Sequence, residues 1–272
     1  MNRDNKMAMK PFNQFPENLK AGIRFILTDI DDTLTIKGRL PAVVFVAMER
    51  LQRAGIRIIP VTGRPAGWCD HMARFWPIDA LVGENGAFYF RYDEHRKKMI
   101  RRYWKSGTDR KKDRKKLEAI KKEILKKIPG CRVASDQAYR EADLAIDYCE
   151  DVPLLPQKAV RDIVRCFEMS GAQAKISSIH VNGWFGSYDK LGMTRLLFEE
   201  VFKENLDEMN AQVIFTGDSP NDAPLFSFVP HSVGVANVSR FKEQLTSKPA
   251  WITRKEGGEG FAEMVDILLA GL

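Results

Sequence analysis

Side chains able to do chemistry gather in four short segments. The first, Asp29-Ile30-Asp31-Asp32-Thr33, crowds three carboxylates directly behind an apolar run. Carboxylates that close repel one another, and a hard cation is the usual way to hold them together. Magnesium suits such a place best, because it takes oxygen ligands and shares its coordination sphere with a phosphate. The second segment, Val61-Thr62-Gly63-Arg64-Pro65, ends in a hydroxyl and a turn glycine, and that hydroxyl can donate to a phosphate oxygen. Lys190, after Tyr188-Asp189, offers an ammonium against charge that redistributes in a transition state. The fourth segment, Gly217-Asp218-Ser219-Pro220-Asn221-Asp222, adds two more carboxylates. A hydroxyl, an ammonium and paired carboxylates around a metal describe phosphoryl transfer. Any one of Asp31, Thr62, Ser219 or Asp222 alone reads as a turn or cap residue, so the joint placement carries the inference.

These segments need strands and helices to bring them together. Arg24–Asp29 reads as a buried strand, followed by a helix from Pro41 with Val44, Ala47, Met48 and Leu51 on one face and Gly55 at its end. A second buried strand covers Ile56–Thr62. The pattern returns as a helix over Lys190–Lys203, a strand over Val213–Gly217, a helix after Asn221 and a strand over Ser232–Val235. Buried strands joined through helices require right-handed parallel crossovers, so both ends of the chain build one doubly wound, Rossmann-like α/β core. Such sheets place ligands at the carboxyl ends of their strands, where these segments fall.

Between Asn85 and about Gly186 the pattern becomes two strands, helix, two strands, helix, two strands, which predicts an inserted α/β domain. Its first helix carries Leu117, Ile120, Ile124 and Ile128 on one stripe, and its second Val160, Ile163, Val164 and Phe167. The net charge of +7 comes from one stretch: Arg91–Arg132 holds 18 Lys and Arg against 6 Asp and Glu, +12 in all, leaving −5 elsewhere. Lysines around the stripe of the 111–127 helix read as a solvated outer face, and the lack of interleaved aromatics argues against nucleic acid. A positive field that draws in an anionic substrate is a further reading of that stretch. No apolar run approaches the roughly 20 residues a bilayer needs. The four cysteines form no C-x-x-C pair, which fits reduced thiols and a cytoplasmic setting. The N-terminus shows no basic start followed by an apolar stretch and is expected as a loose tail over 1–22.

In this order, the four segments resemble the four motifs of the haloacid dehalogenase superfamily of phosphatases. The insertion lies between the second and third motifs, as in subfamily II members with an α/β cap (subfamily IIB), and Gly83-Glu84-Asn85-Gly86-Ala87 is similar to the usual entry into that cap. The resemblance implies a hydrolase core over 23–85 and 187–272 and a substrate-selecting cap over 86–186. It implies that Asp29 attacks phosphorus and becomes phosphorylated, while Asp31 protonates the leaving oxygen and then activates water. Asp29, the backbone carbonyl of Asp31 and Asp218 would hold Mg²⁺ with Asp222 close behind, and Thr62 and Lys190 would bind phosphate. Asp32 stands where Gly is commoner and reads as a turn residue. Candidates for substrate contact are Arg64, Glu84, Asn85, Ser219 and Asn221, with His180, Asn182 and Trp184 from the loop His180–Tyr188. Trp184 and Phe185 read equally well as packing at the hinge.

Ser232–Asn237 and Gly257–Phe261 look similar to the sugar-phosphatase branch, that of sucrose-phosphatase and mannosyl-3-phosphoglycerate phosphatase. A sugar phosphate or phosphorylated sugar acid is the substrate this implies, acted on by a monomer or homodimer. Two alternatives stand beside it. A phosphomannomutase-like phosphotransferase shares the cap type but differs in the second and fourth motifs. A basic nucleic-acid-binding module on a phosphatase fold would have little need of the acidic cluster, which repels nucleic acid.

Overall fold

A computed structural model describes residues 9–271. Its strands in chain order are β1 (Lys10–Pro11), β2 (Phe25–Thr28), β3 (Arg57–Pro60), β4 (Leu81–Gly83), β5 (Phe88–Asp93), β6 (Lys98–Tyr103) and β7 (Arg132–Val133). There follow β8 (Asp143–Asp147), β9 (Gln173–Ile176), β10 (His180–Trp184), β11 (Val213–Gly217), β12 (His231–Gly234) and β13 (Trp251–Ile252). The helices are α1 (Glu17–Lys20), α2 (Ala42–Arg53), α3 (Ala66–Phe75), α4 (Gly107–Lys127) and α5 (Gln157–Met169), then α6 (Lys190–Leu197), α7 (Leu206–Met209), α8 (Ala223–Phe228) and α9 (Gly257–Leu269). The chain divides into two compact units, one of residues 9–62, 75–81 and 194–271, the other of 63–74 and 82–193.

The first unit is built on a sheet of order β1-β13-β12-β11-β2-β3, with every neighbouring pair parallel. Every residue of β2 and β11 is buried, as central strands covered on both faces require. α2 buries Val44, Ala47, Met48 and Leu51, the predicted stripe, and ends where Gly55 takes a φ of +76°. The helix expected over Lys190–Lys203 is regular only to Leu197; a wider turn covers Phe198–Phe202, and Lys203 closes it with a φ of +59°.

The expected loose tail needs correcting. From Lys10 onward the chain is ordered: β1 pairs with β13, and Phe12 and Phe15 are buried against Trp251. Isolated aromatics in a polar sequence give no periodic signal, and their burial is set by tertiary contacts alone. The remainder of that expectation, Met1–Ala8, lies outside the described residues.

The second unit contains all of 86–186 and also takes in 63–74, 82–85 and 187–193. It carries an antiparallel sheet β7-β8-β10-β9 and a separate sheet β4-β5-β6. α4 and α5 pack onto the first of these through Leu117, Ile120 and Ile124 and through Val160, Ile163 and Phe167, against Leu144, Ile146 and Val181. His180–Trp184, expected within a loop, is instead the inner strand β10, paired with β8 on one side and β9 on the other. Asn182 and Gly183 disguised it, and the glycine has a packing cause: a Cβ there would meet the Phe167 ring at 2.1 Å.

Candidate active site

In the first unit the acidic segments meet at the carboxyl ends of β2 and β11, adjacent strands in register. The Asp29 N–H donates to the Thr216 carbonyl at 2.9 Å, and the Thr216 hydroxyl donates to Thr28 Oγ1 at 2.7 Å. This lacing fixes the two strand ends side by side. Carboxylate oxygens of Asp29, Asp218 and Asp222 all lie within 4.8 Å of one another, and all three residues are buried. Asp222 also caps its own turn, its Oδ2 accepting from the Asp218 and Ser219 N–H groups at 3.1 and 3.3 Å. Gly217 is required there, because a Cβ would meet Asp222 Oδ2 at 2.6 Å.

Burial and the neighbouring Asp222, Asp29 and Asp32 carboxylates push Asp218 well above the ordinary carboxylate range, while a hydrogen bond from Thr33 at 3.1 Å opposes them. Like charges held together away from water are what a hard cation relieves, and the donors are all oxygens, so the cluster fits Mg²⁺. Asp31 is half-buried beside this cluster in sequence, and Thr62 is fully buried two residues beyond the end of β3. Asp32 has a φ of +56°, which explains why a glycine suits that position and why an Asp, tolerant of the left-handed region, can replace it.

Asn237 is a site residue that sequence reasoning passed over. Its Nδ2 donates to the Asp32 carbonyl at 2.9 Å and to Asp218 Oδ2 at 3.4 Å, while its Oδ1 accepts from the Gly257 N–H at 3.0 Å. It thus ties the first and fourth motifs to the start of α9. The available signal was its place shortly after the end of β12, as Asp29 and Asp218 directly follow β2 and β11. Ser219 and Asn221 bond to each other at 2.6 Å within their turn.

The second unit holds the other candidates. Arg64 is buried between carboxylates, 3.3 Å from Glu150 and 3.6 Å from Asp136, with its guanidinium 4.5 Å from the centre of the Trp68 ring. Glu84 is fully buried and binds backbone: its oxygens accept from Ala66 at 2.9 Å, Glu141 at 2.8 Å, Ala142 at 2.6 Å and Asp143 at 3.2 Å. Burial and the Asp143 carboxylate push it up to about 8, against Arg140 and those N–H donors, which favour the anion. Asn85, beside it, also has positive φ and a buried Nδ2 without a partner among the described residues.

Arg140 was not foreseen. It donates to both Asp136 and Asp143 and, at 3.0 Å, to the Gly63 carbonyl, next in sequence to Thr62. Asn182 donates to Asp143 at 2.9 Å, and His180 Nε2 lies 2.8 Å from Glu150. Trp184 is buried, stacked on Tyr188, its indole N–H directed at the Tyr188 carbonyl. Lys190 is buried at the start of α6.

The chain is similar to known proteins along most of its length. A family model described as haloacid dehalogenase-like hydrolase matches residues 26–139. Over that stretch the chain is similar to the haloacid dehalogenase-like hydrolases. With relatives that are phosphatases along almost its full length, it is an enzyme of the phosphatase class expected from the sequence. Along almost its full length it is similar to phosphoglycolate phosphatase 1 of Saccharolobus solfataricus, 26% identical over 254 residues, covering 92% of this chain and 97% of that one. Among solved structures it resembles Thermoplasma acidophilum 0175, with a TM-score of 0.67, 18% identity and coverage of 90% and 98%. It also resembles the sucrose-phosphatase of Synechocystis sp. PCC6803 in complex with sucrose and phosphate, with a TM-score of 0.61, 15% identity and coverage of 90% and 97%. The chain shares its fold with these structures.

Proposed function

We propose that this haloacid dehalogenase-like enzyme is a Mg²⁺-dependent phosphatase of a small phosphorylated metabolite, a sugar phosphate or a phosphorylated acid, working through an aspartyl-phosphate on Asp29. The observation that carries the reading is the buried convergence of Asp29, Asp218 and Asp222 at the ends of two adjacent parallel strands. Asp29, the Asp31 carbonyl and Asp218 would hold the metal, with Asp222 behind them. When bound, Mg²⁺ supplies positive charge that lets an anionic carboxylate approach an anionic phosphate.

In the first step a carboxylate oxygen of Asp29 bonds to phosphorus, the bond from phosphorus to the leaving oxygen breaks, and Asp31 gives that oxygen its proton. In the second, Asp31 takes a proton from water, the water oxygen bonds to phosphorus, and the bond to Asp29 breaks. Thr62 and Lys190 serve as phosphate-binding groups, the hydroxyl as a donor and the ammonium as the balancing charge. The named relative acts on phosphoglycolate and the sucrose-phosphatase binds sucrose and phosphate, so a substrate pairing a phosphate with a small acidic or hydroxylated body is the favoured class.

Phosphate release from a panel of sugar, sugar-acid, glycolate, nucleotide and cofactor phosphates, with Mg²⁺ and with chelator, tests this. Metal-dependent turnover absent from Asp29→Asn supports it. Failure to turn over any member, an activated aryl phosphate included, would sink it.

A further inference from the structure

A cleft among the described residues lies at the opposite end of the sheet from this chemistry. Lys10, His231 and Trp251 open β1, β12 and β13, three adjacent parallel strands, so they mark the amino end of the sheet. Asp29 and Asp218 follow the carboxyl ends. A cleft of about 630 Å³ opens there, within the range of small-molecule sites and wholly inside the first unit.

Its lining combines two kinds of surface. One wall is apolar, formed by Phe226, Leu245 and Trp251 among others. The other bears Lys10 and Lys248, with the hydroxyls of Thr246 and Ser247 beside Lys248. None of the described residues that line it is Asp or Glu. Lys248 is half-buried, and neither it nor Lys10 has an ion-pair partner among the described residues; Lys10 lies 5.7 Å from the centre of the Trp251 indole. Burial holds His231 below its ordinary value, so it is neutral near pH 7 and the two lysines supply the charge. Unpaired ammonium groups along a recess that lacks carboxylates favour an anion, and the apolar wall favours a ring attached to it.

We propose that this cleft is a second binding site, separate from the catalytic end of the sheet, for a small organic anion with an apolar ring bearing a phosphate, carboxylate or sulfonate. The anionic group pairs with Lys248 and Lys10, and the ring lies along the Trp251 side. The proposal does not depend on which phosphate ester the enzyme hydrolyses.

The test follows the Trp251 indole N–H resonance, assigned with Trp251→Phe, in the full chain. Naphthalene-1-sulfonate is the probe, because it carries ring and charge but no hydrolysable ester. Sulfate and naphthalene-1-methanol isolate the two parts. Saturable movement of the Trp251 signal by the sulfonate, at least about tenfold weaker in Lys248→Glu as loss of a charge-assisted contact requires, supports the site. Lys248→Met should fall between parent and Lys248→Glu, with thermal midpoints preserved in both. A Trp251 signal that does not move at millimolar probe would overturn it. So would equal binding by Lys248→Glu, or equal binding of naphthalene-1-methanol or sulfate alone.

Discussion

Asp218 shows at the scale of one residue how a site can be held at a cost to the fold. It is buried beside Asp222 and Asp29, which push its carboxyl well above the usual range. Without metal, Asp218→Asn should therefore unfold no more easily than the parent, because a like charge is removed. With Mg²⁺ the parent should gain thermal stability by mass action and the variant should not. Equal Mg²⁺ responses in thermal unfolding would remove Asp218 from the metal site. Asn85 offers a second residue-scale test, since its φ of +56° suits glycine. Asn85→Gly should be near neutral for stability, whereas Asn85→Ala should lose roughly 1–2 kcal/mol in denaturant unfolding. The reverse ranking would contradict the strain assigned here. The acidic motifs were legible in the sequence because residue type and strand-end position together specify them. Asn237 was not, since a single amide after a strand has no pattern, and its role arises only from three bonds formed across the unit.

At the scale of elements, Glu84 and Arg140 do the joining inside the second unit. Glu84 links the start of α3, through Ala66, to the residues that lead into β8, and Arg140 links the same region to Gly63. Neither was readable in advance as a link, because each binds backbone groups far away in sequence. Replacing the Glu84 carboxylate with an amide turns donors toward donors. Glu84→Gln should cost at least about 2 kcal/mol, measurable by denaturant unfolding. Glu150 supplies a pH test: the His180 imidazole 2.8 Å away, aided by Arg64, holds its carboxyl down to about 2 from an ordinary 4.5. The lowered value means that its contribution is complete above pH 4.5 and lost as pH falls toward 2. Thermal midpoints of the parent should therefore fall more steeply across that window than those of Glu150→Gln, and parallel curves would count against the pair. The helical stripes of α2, α4 and α5 were visible as 3.6-residue periodicity, whereas β10, with Asn182 and Gly183 inside a buried strand, showed no alternation to read.

At the scale of the whole molecule, the basicity belongs to the second unit while the acidic cluster belongs to the first. α4 keeps its apolar side, Leu117, Ile120 and Ile124, against the sheet and its lysines outside, the solvated face expected from the sequence. The doubly wound core and the inserted domain were legible because alternating buried strands and amphipathic helices leave few topologies open. The ordered segment from Lys10 was not, because it is held by aromatic contacts with Trp251 rather than by any local preference. The central claim is that Asp29 carries the phosphoryl group. The most direct measurement is an acid quench of the enzyme turning over its best substrate with Mg²⁺, followed by borohydride reduction and peptide mass spectrometry. The account predicts homoserine at position 29, dependent on both substrate and metal and absent from Asp29→Asn. Metal-dependent turnover that leaves residue 29 unmodified while another side chain takes the label, or that survives in Asp29→Asn, would contradict it.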